Sequence, residues 1–478
     1  MAEYLTPGVF IEDTPNAPVI EAVSSSTGGF IGIAQRGKVG KPIFITSWNA
    51  FITNFAQGMD SPFITNSDLA YAVYGFFQNG GKRCYVQRVA SATAKVASLS
   101  TPTEAPTLVI NAKDEGVWGN KLKVTITANA DVSTNFDLAV TLDDEKVEVF
   151  SGLSNTVGEE NYWIDILDEQ SEYIEGVSGS LSVLASTALA NGNDGVADIA
   201  DKDYENALKK FDVISDLNLL CIPGQTSATI NSAIMTYCEN RGDVFAILDA
   251  PEASTVESVL ALRKTMSCKN AALYFPWIKV SDPLSKTGKL RSCPPCGHVM
   301  GVYARTIAER GVWKAPAGTE AIVRGAVDVA TVLTNSDTDV LNPAGIVSII
   351  PKTNYGILLW GARDLHPQSS MKYISDVLLD TFVKKSVYNA TQPFVFEPND
   401  SSTWTRVTTT VQAFLDGLWR EGAFAGATAK EAYYVKCDED LNSASVRKSG
   451  KLICEVGYAS KKPAEFIIFR FSHDMASN

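Results

Sequence analysis

Cys293-Pro-Pro-Cys296-Gly-His298 is the arrangement in this chain that comes nearest to chemistry. Two thiols at CxxC spacing, followed closely by an imidazole, can ligate Zn²⁺ or exchange disulfides. Four zinc ligands would need a second CxxC or a paired-His motif, and the sequence has neither. Its three histidines, His298, His366 and His473, are widely separated. A thioredoxin-like motif opens a helix directly after a strand, whereas this one follows a polar, Gly/Lys-rich stretch. The motif therefore reads as a Pro-rich loop with incidental thiols, with no metal and no redox role. Cys84, Cys221, Cys238, Cys268, Cys437 and Cys454 are scattered, several in apolar runs such as LNLLCIPG at 217–224, and read with the first pair as buried free thiols.

The remaining chemical signals are weaker. Gly192-Asn193-Asp194-Gly195 lacks the alternating acidic ligands of an EF-hand and reads as a turn. Neither GxGxxG nor GxxxxGK[ST] is present, so a nucleotide reading has no phosphate loop. Cys221-Ile222-Pro223-Gly224 ends a strand at the place where doubly wound sheets bind ligands, but nothing there would cradle a phosphate. There is no GxSxG elbow and no HExxH. Asp143-Asp144 and Glu159-Glu160 fall in loops and read as solvated surface. No active site, metal or cofactor is expected, and an enzyme built on the α/β module is the disfavoured alternative.

Composition narrows the partners. A net charge of −13 argues against nucleic acid and against an anionic membrane surface, since both select clustered Lys and Arg. No stretch approaches about 18 uninterrupted apolar residues, and no basic-then-apolar leader opens the chain. At 478 residues the length suggests roughly three domains.

The elements that would position such residues change in texture along the chain. From about 24 to 90, GGFIGIA and KRCYVQRV read as strands, TSWNAFITNFA as a helix start, and SDLAYAVYGFFQNGG as a helix stopped by Asn79-Gly80-Gly81. SATAKVASLSTPTEAPT has linker composition. KLKVTITANA, FDLAVTLDD, KVEVFSG and YWIDILD are short runs split by Asp, Asn and Gly, which predict a β-rich module. From about 201, the helices DYENALKKF, ATINSAIMTYCENRG and STVESVLALRKTM alternate with the strands LNLLCIPG, DVFAILDAP and NAALYFPWIKV. That alternation predicts a parallel sheet with helices on its faces. A last module combines the strand GILLWGARDL, two long helices, and the strands AYYVKCD and LICEVGYAS.

The two ends stand apart. YLTPGVFIEDTPNAPVI opens the chain and PAEFIIFRFSH closes it, both β-prone and apolar where termini are usually polar. An apolar strand at an open end needs backbone partners. Val9, Phe10 and Ile11, and Phe466, Ile467, Ile468, Phe469 and Phe471, are therefore expected to form strands shared between subunits.

Several long motifs in order resemble the contractile tail sheath family of phages and phage-tail-like particles. YLTPGVFIED, GGFIGIAQRG and KPIFITSWNAFITNF resemble its N-terminal signature. CGHVMGVYARTIAERGVWKAPAG at 296–318 resembles its most distinctive central stretch, and YGILLWGARDL, TQPFVFEPND, FLDGLWREGAFAG and PAEFIIFRF its C-terminal core. Sheath relatives tend to carry a residue other than Cys where Cys296 stands, which supports reading the CxxC as incidental.

The resemblance implies an α/β and α+β multidomain fold. It would comprise an N-terminal arm (1–22), the N-terminal part of the core (23–95), a β-rich peripheral insertion (96–195), an α/β domain (196–350), an inner, tube-facing C-terminal domain (351–462) and a C-terminal arm (463–478). It also implies stacked hexameric rings around an inner tube, arms that add strands to a small sheet in a neighbour's C-terminal domain, and contraction triggered by a baseplate. The implied partners are other sheath subunits, the tail tube protein, and baseplate and terminator proteins, with no nucleic acid and no membrane insertion. The implied location is a virion or particle tail assembled in the host cytoplasm. Lys384 and Lys385, beside the apolar stripe Ile374, Val377, Leu378, Phe382 and Val387, read either as surface lysines on a core-packed helix or as a basic edge that contacts an acidic tube.

Overall fold

The computed structural model describes residues 24–101 and 108–468, which fall in two compact units. The larger takes in Ser24–Arg310 and Lys314–Val377, and the smaller includes everything described from Leu378 on.

The larger unit is built on one eight-stranded sheet. Its strands are β1 (Gly28–Gly32), β2 (Ile43–Ile45), β3 (Cys84–Arg88), β4 (Leu219–Cys221), β5 (Phe245–Asp249), β6 (Ala271–Phe275), β7 (Ile346–Lys352) and β8 (Gly356–Trp360), in the order β8-β7-β6-β5-β4-β1-β3-β2. The six inner strands run parallel, and the edge strands β2 and β8 pair antiparallel. β4, β5 and β6 read LLC, FAILD and AALYF and are buried throughout, as strands covered on both faces must be. The helices of this unit include α1 (Leu69–Gln78), α2 (Ala228–Arg241) and α3 (Cys296–Arg310). The Ser227 hydroxyl accepts the Ile230 N–H at 3.1 Å to start α2, and Gly242, at φ 69°, ends it. Ile230, Ile234 and Cys238 of α2 pack with Leu220, Ala246 and Leu273 in the main core.

The strand–helix alternation after residue 201 thus yields the parallel sheet it predicts. That β1 and β3 join the same sheet, beside β4, is a long-range pairing that local pattern does not carry. NAALYFPWIKV is two strands rather than one. β6 ends at Phe275, and Ile278–Ser281 belongs to a separate three-stranded antiparallel sheet with Leu290–Cys293 and Ala326–Val329.

Between β3 and β4 the chain forms two antiparallel sheets. One joins Val96–Ser100, Val109–Glu115 and Ile174–Ser178, and the other Leu184–Ala188, Leu122–Ala128, Phe136–Leu142 and Glu145–Leu153. They share a core around Leu122, Ile126, Leu138, Trp163 and Leu167. Two readings of this stretch need correction. YWIDILD is not a strand but the start of helix Trp163–Gln170, with Trp163 and Leu167 buried four residues apart. The supposed linker contains strand Val96–Ser100, whose Ala97 and Leu99 point inward; small residues and Thr hid the alternation.

Two buried arginines fasten this region to the main sheet. Arg36, just after β1, donates to the Gln57 carbonyl at 3.0 Å and the Glu172 carbonyl at 2.7 Å, and lies 3.5 Å from the Asp114 carboxylate. Its guanidinium sits 3.9 Å from the Trp118 ring centre. Arg88, at the end of β3, donates to the carbonyls of Gly37 (3.1 Å) and Glu115 (2.7 Å). Burial lowers the pKa of both, against the pull of Asp114 and Asp194.

From Leu378 on, the smaller unit contains the rest of α4 (Ile374–Thr391), then α5 (Ser401–Arg420) and the antiparallel pair β9 (Tyr433–Lys436) and β10 (Glu455–Tyr458). Asp400 caps α5, accepting the N–H groups of Ser402 and Thr403, each at 3.0 Å.

Candidate strand-docking sheet

β9 and β10 form the smallest sheet among the described residues. Tyr433 faces Tyr458, Tyr434 faces Gly457, Val435 faces Val456 and Lys436 faces Glu455. A two-stranded ribbon is marginal alone and needs packing. Phe424, fully buried, supplies it, stacking on Tyr458 at 5.2 Å and lying 6.5 Å from Tyr433. The Tyr458 hydroxyl donates to Asp380 of α4 at 2.9 Å. Backbone bonds from Ala425 to Ala459 (2.8 Å) and from Ala459 to Ala432 (2.9 Å) fix the start of the ribbon. Among the described residues, no further strand pairs with the outer edge of β9 or of β10. Sheet edges of this kind are the template that an added strand requires.

The closing segment departs just after β10. Phe466, Ile467 and Ile468 carry no ladder and are 72%, 75% and 77% exposed, a run of large apolar side chains in water. Phe469 and Phe471, and Val9, Phe10 and Ile11 at the other end, lie outside the described residues.

Of the lysines singled out on α4, Lys384 is exposed and paired with Asp380, one turn earlier, at 2.6 Å, while Lys385 is half-buried. Ile374, Val377, Leu378 and Phe382 are buried and Val387 is partly so, with Phe382 against Phe414 of α5 at 6.1 Å. Sequence reasoning passed over Phe396, which is wholly exposed and sits at φ 71°, an unusual conformation for an aromatic residue. Only its place between two prolines in QPFVFEP marked it.

The CxxC motif is not a loop. Cys293 ends a strand and Cys296 opens α3, so the expected absence of a strand–helix junction is wrong. The polar run before it is the loop and second strand of an antiparallel hairpin, Ile278–Ser281 with Leu290–Cys293, which composition disguised. Both thiols are fully buried, and burial holds them well above the usual cysteine range. Asp249, the last residue of β5, accepts the Cys296 N–H at 2.9 Å and the Gly224 N–H at 3.3 Å, and burial raises its carboxyl to about 7. The crevice at the carboxyl ends of β4 and β5 is therefore filled by the chain's own helix start. His298 is a core residue. Burial lowers it to about 4, and its ring lies against Gly75 of α1, where an added Cβ would come within 2.3 Å of it. Gly297 and Gly301 of α3 face Ala72 and Phe76 of α1 just as closely. CGHVMG thus serves helix–helix contact through small residues. Among the described residues, no cluster of three or more His, Cys, Asp or Glu is placed to hold a metal, and no helix is long and apolar enough to cross a membrane.

Comparison with known proteins identifies the architecture. Residues 197–364 match the phage tail sheath protein central domain, and residues 366–473 the phage tail sheath C-terminal domain. A putative prophage major tail sheath protein of Pseudomonas aeruginosa (strain UCBPP-PA14) is 29% identical over 259 residues, which cover 53% of this chain and 64% of that protein. The tail sheath protein of Salmonella phage ViI is 23% identical over 370 residues, covering 72% of this chain and 53% of that one. The chain thus spans about half to two thirds of the length of these curated relatives. The sheath complex of an extracellular contractile injection system in its contracted state superposes with a TM-score of 0.63 at 21% identity, covering 99% of both chains. A sheath tail protein from Listeria innocua gives 0.65 at 12% identity, covering 92% and 96%. Such likenesses at low identity establish the fold, and the two adjoining domain matches establish the lineage: this chain belongs to the phage tail sheath protein family.

Proposed function

We propose that the protein is the subunit of a contractile tail sheath. It polymerises around an inner tail tube as stacked hexameric rings in a metastable extended state, and contracts to drive the tube through a target cell envelope. The observation that carries this reading is the two-stranded β9–β10 ribbon, which no further strand joins among the described residues, together with the exposed apolar run Phe466, Ile467 and Ile468. Strand addition supplies backbone hydrogen bonds largely independent of side-chain identity, so such a joint can persist while subunits move relative to one another. An extended arm of about 20 residues spans roughly 65–70 Å, enough to reach another subunit.

In this reading Val9, Phe10 and Ile11 of one copy, and Phe466, Ile467, Ile468, Phe469 and Phe471 of another, complete the ribbon of a third. The segment 96–195 is the peripheral insertion, and 351–462 faces the tube through Lys384 and Lys385. The exposed pair between Lys384 and Asp380 is worth only about 0.3–0.5 kcal/mol, weak enough to be exchanged for a carboxylate on the tube. Baseplate and terminator proteins bound the polymer at its ends. The location is the tail of a phage or phage-like particle, assembled in the host cytoplasm.

Negative-stain microscopy of the purified full chain tests the proposal: hollow, striated cylinders are expected. Removing 463–478 should leave folded protein without cylinders. Normal cylinders from that truncated chain would remove the ribbon from the mechanism.

A further inference from the structure

Cys437 follows β9 directly and Cys454 precedes β10 directly, and the register that sets Lys436 against Glu455 makes these cysteines the next opposed pair. Opposed residues of an antiparallel pair hold their Cβ atoms about 4.5–5.5 Å apart, close to the separation a disulfide spans. Each thiol is near enough to the other to perturb its titration. Both are half-buried, whereas the other six cysteines are buried.

Asn442 fixes the geometry. It is fully buried, and its amide nitrogen donates to the Asp438 carbonyl at 3.1 Å and the Ile453 carbonyl at 2.9 Å, and lies 3.7 Å from the Cys437 Sγ. Its oxygen accepts the Ile453 N–H at 2.7 Å. One side chain thus ties the neighbour of Cys437 to the neighbour of Cys454, and the loop 438–453 cannot carry the thiols apart without breaking it.

We propose that Cys437 and Cys454 are a modification site that closes to a reversible disulfide with a small-molecule disulfide such as oxidised glutathione, stapling β9 to β10 at their loop end. The Cys437 thiolate attacks one glutathione sulfur, forms a mixed disulfide and releases a glutathione thiolate. The Cys454 thiolate then attacks the Cys437 sulfur and releases the second. The protein thiols lose two electrons, the glutathione disulfide gains them, and the two protein protons leave on the released thiols. Burial raises both cysteines, Cys454 to about 12, so the exchange is slow at neutral pH and quickens as pH rises. The staple goes beyond the sheath reading and does not depend on it, since it concerns the two strands whether or not a third is added.

The full chain, kept native, is incubated with oxidised glutathione, then unfolded, alkylated with iodoacetamide and measured by mass spectrometry before and after trypsin. Cleavage at Arg447, Lys448 and Lys451 separates the two cysteines onto different peptides. Alkylation of six of the eight cysteines is expected, with the Cys437 peptide joined to the Cys454 peptide and released by dithiothreitol. Cys454→Ser should hold Cys437 as a stable glutathione adduct, the intermediate of the exchange. Alkylation of all eight cysteines, a stable glutathione adduct on the unaltered chain without the joined peptide, or a bond from either residue to any other cysteine would each overturn the proposal.

Discussion

Arg36 offers the sharpest test of how the two antiparallel sheets between β3 and β4 are held to the main sheet. Replacing it with Ala leaves the carbonyls of Gln57 and Glu172 without their donor, and an unmade hydrogen bond at a buried group costs about 1–3 kcal/mol. It also removes the cation over Trp118, worth roughly 0.5–2 kcal/mol, and strands the mostly buried Asp114. Relief from burying the guanidinium offsets part of this. The net loss should be about 3 kcal/mol, at the low end for breaking a buried charge pair. The loss is local, because Arg36 bridges Gln57 of the main body to Asp114 and Glu172 of the insertion. Hydrogen exchange by mass spectrometry reads it directly. Amides in Val109–Glu115 and Ile174–Ser178 should exchange about a hundredfold faster, since each 1.4 kcal/mol is tenfold, while β5 and β6 keep their protection. Arg36→Lys keeps the charge but not the fork and should fall between. A rise of less than tenfold in those strands, or an equal rise in β5 and β6, would refute the seam. The seam also bears on removal of the insertion: replacing 96–195 with a Gly/Ser linker should preserve polymerisation only if Arg36 and Arg88 are changed to uncharged residues as well.

Further predictions concern the ends, the helix and the core. Deleting 1–20 should leave a soluble, folded chain that forms no cylinders, checked by circular dichroism and microscopy. Cys293→Ser with Cys296→Ser should leave assembly and contraction intact, and stoichiometric zinc in the unaltered protein would contradict this. Lys384→Glu with Lys385→Glu places like charges one turn from Asp380 and should favour contracted or tube-free sheaths, whereas tube-filled particles at normal yield would clear α4 of gripping the tube. His298 is held near 4 against an ordinary 6.5, so its neutral form carries stability that is complete above pH 6.5 and drains as pH falls toward 4, by about 3 kcal/mol in all. His298→Leu should be less acid-sensitive by that amount across that window, measured as the pH dependence of the denaturation midpoint.

What could be read from the residues follows the range of the interactions. The strands LNLLCIPG and DVFAILDAP, and the capped helix between them, are set by local pattern, and the structure has them as β4, β5 and α2. The pairing of β1 with β4, almost two hundred residues apart, is set by the global packing of glycine-rich β1 under Leu217 and Leu220 and leaves no periodic trace. YWIDILD failed because seven consecutive apolar or acidic residues fit either period. For the site, apolar character at both ends was plain, but the opposition of Cys437 and Cys454 across a loop of 16 residues appears only once Lys436 is registered on Glu455. The scattered spacing gave no hint of it.

The buried chemistry closes the place where α/β cores of this kind usually bind ligands. In open doubly wound sheets, ligands enter at the carboxyl ends of the strands, where loops leave a crevice and helix starts offer free N–H groups. Here that place is taken. Asp249 uses both carboxylate oxygens on the backbone, one for Cys296 at the start of α3 and one for Gly224 after β4. α3 then runs against α1 at a separation that only Gly75, Gly297 and Gly301 permit, with the neutral His298 filling the gap. Opening that crevice for a ligand would break two backbone caps and a glycine-packed helix pair together. Among the described residues, no further strand pairs with β9 or β10, and Phe466, Ile467 and Ile468 are exposed. Strand addition between copies would use edges and tails of this kind.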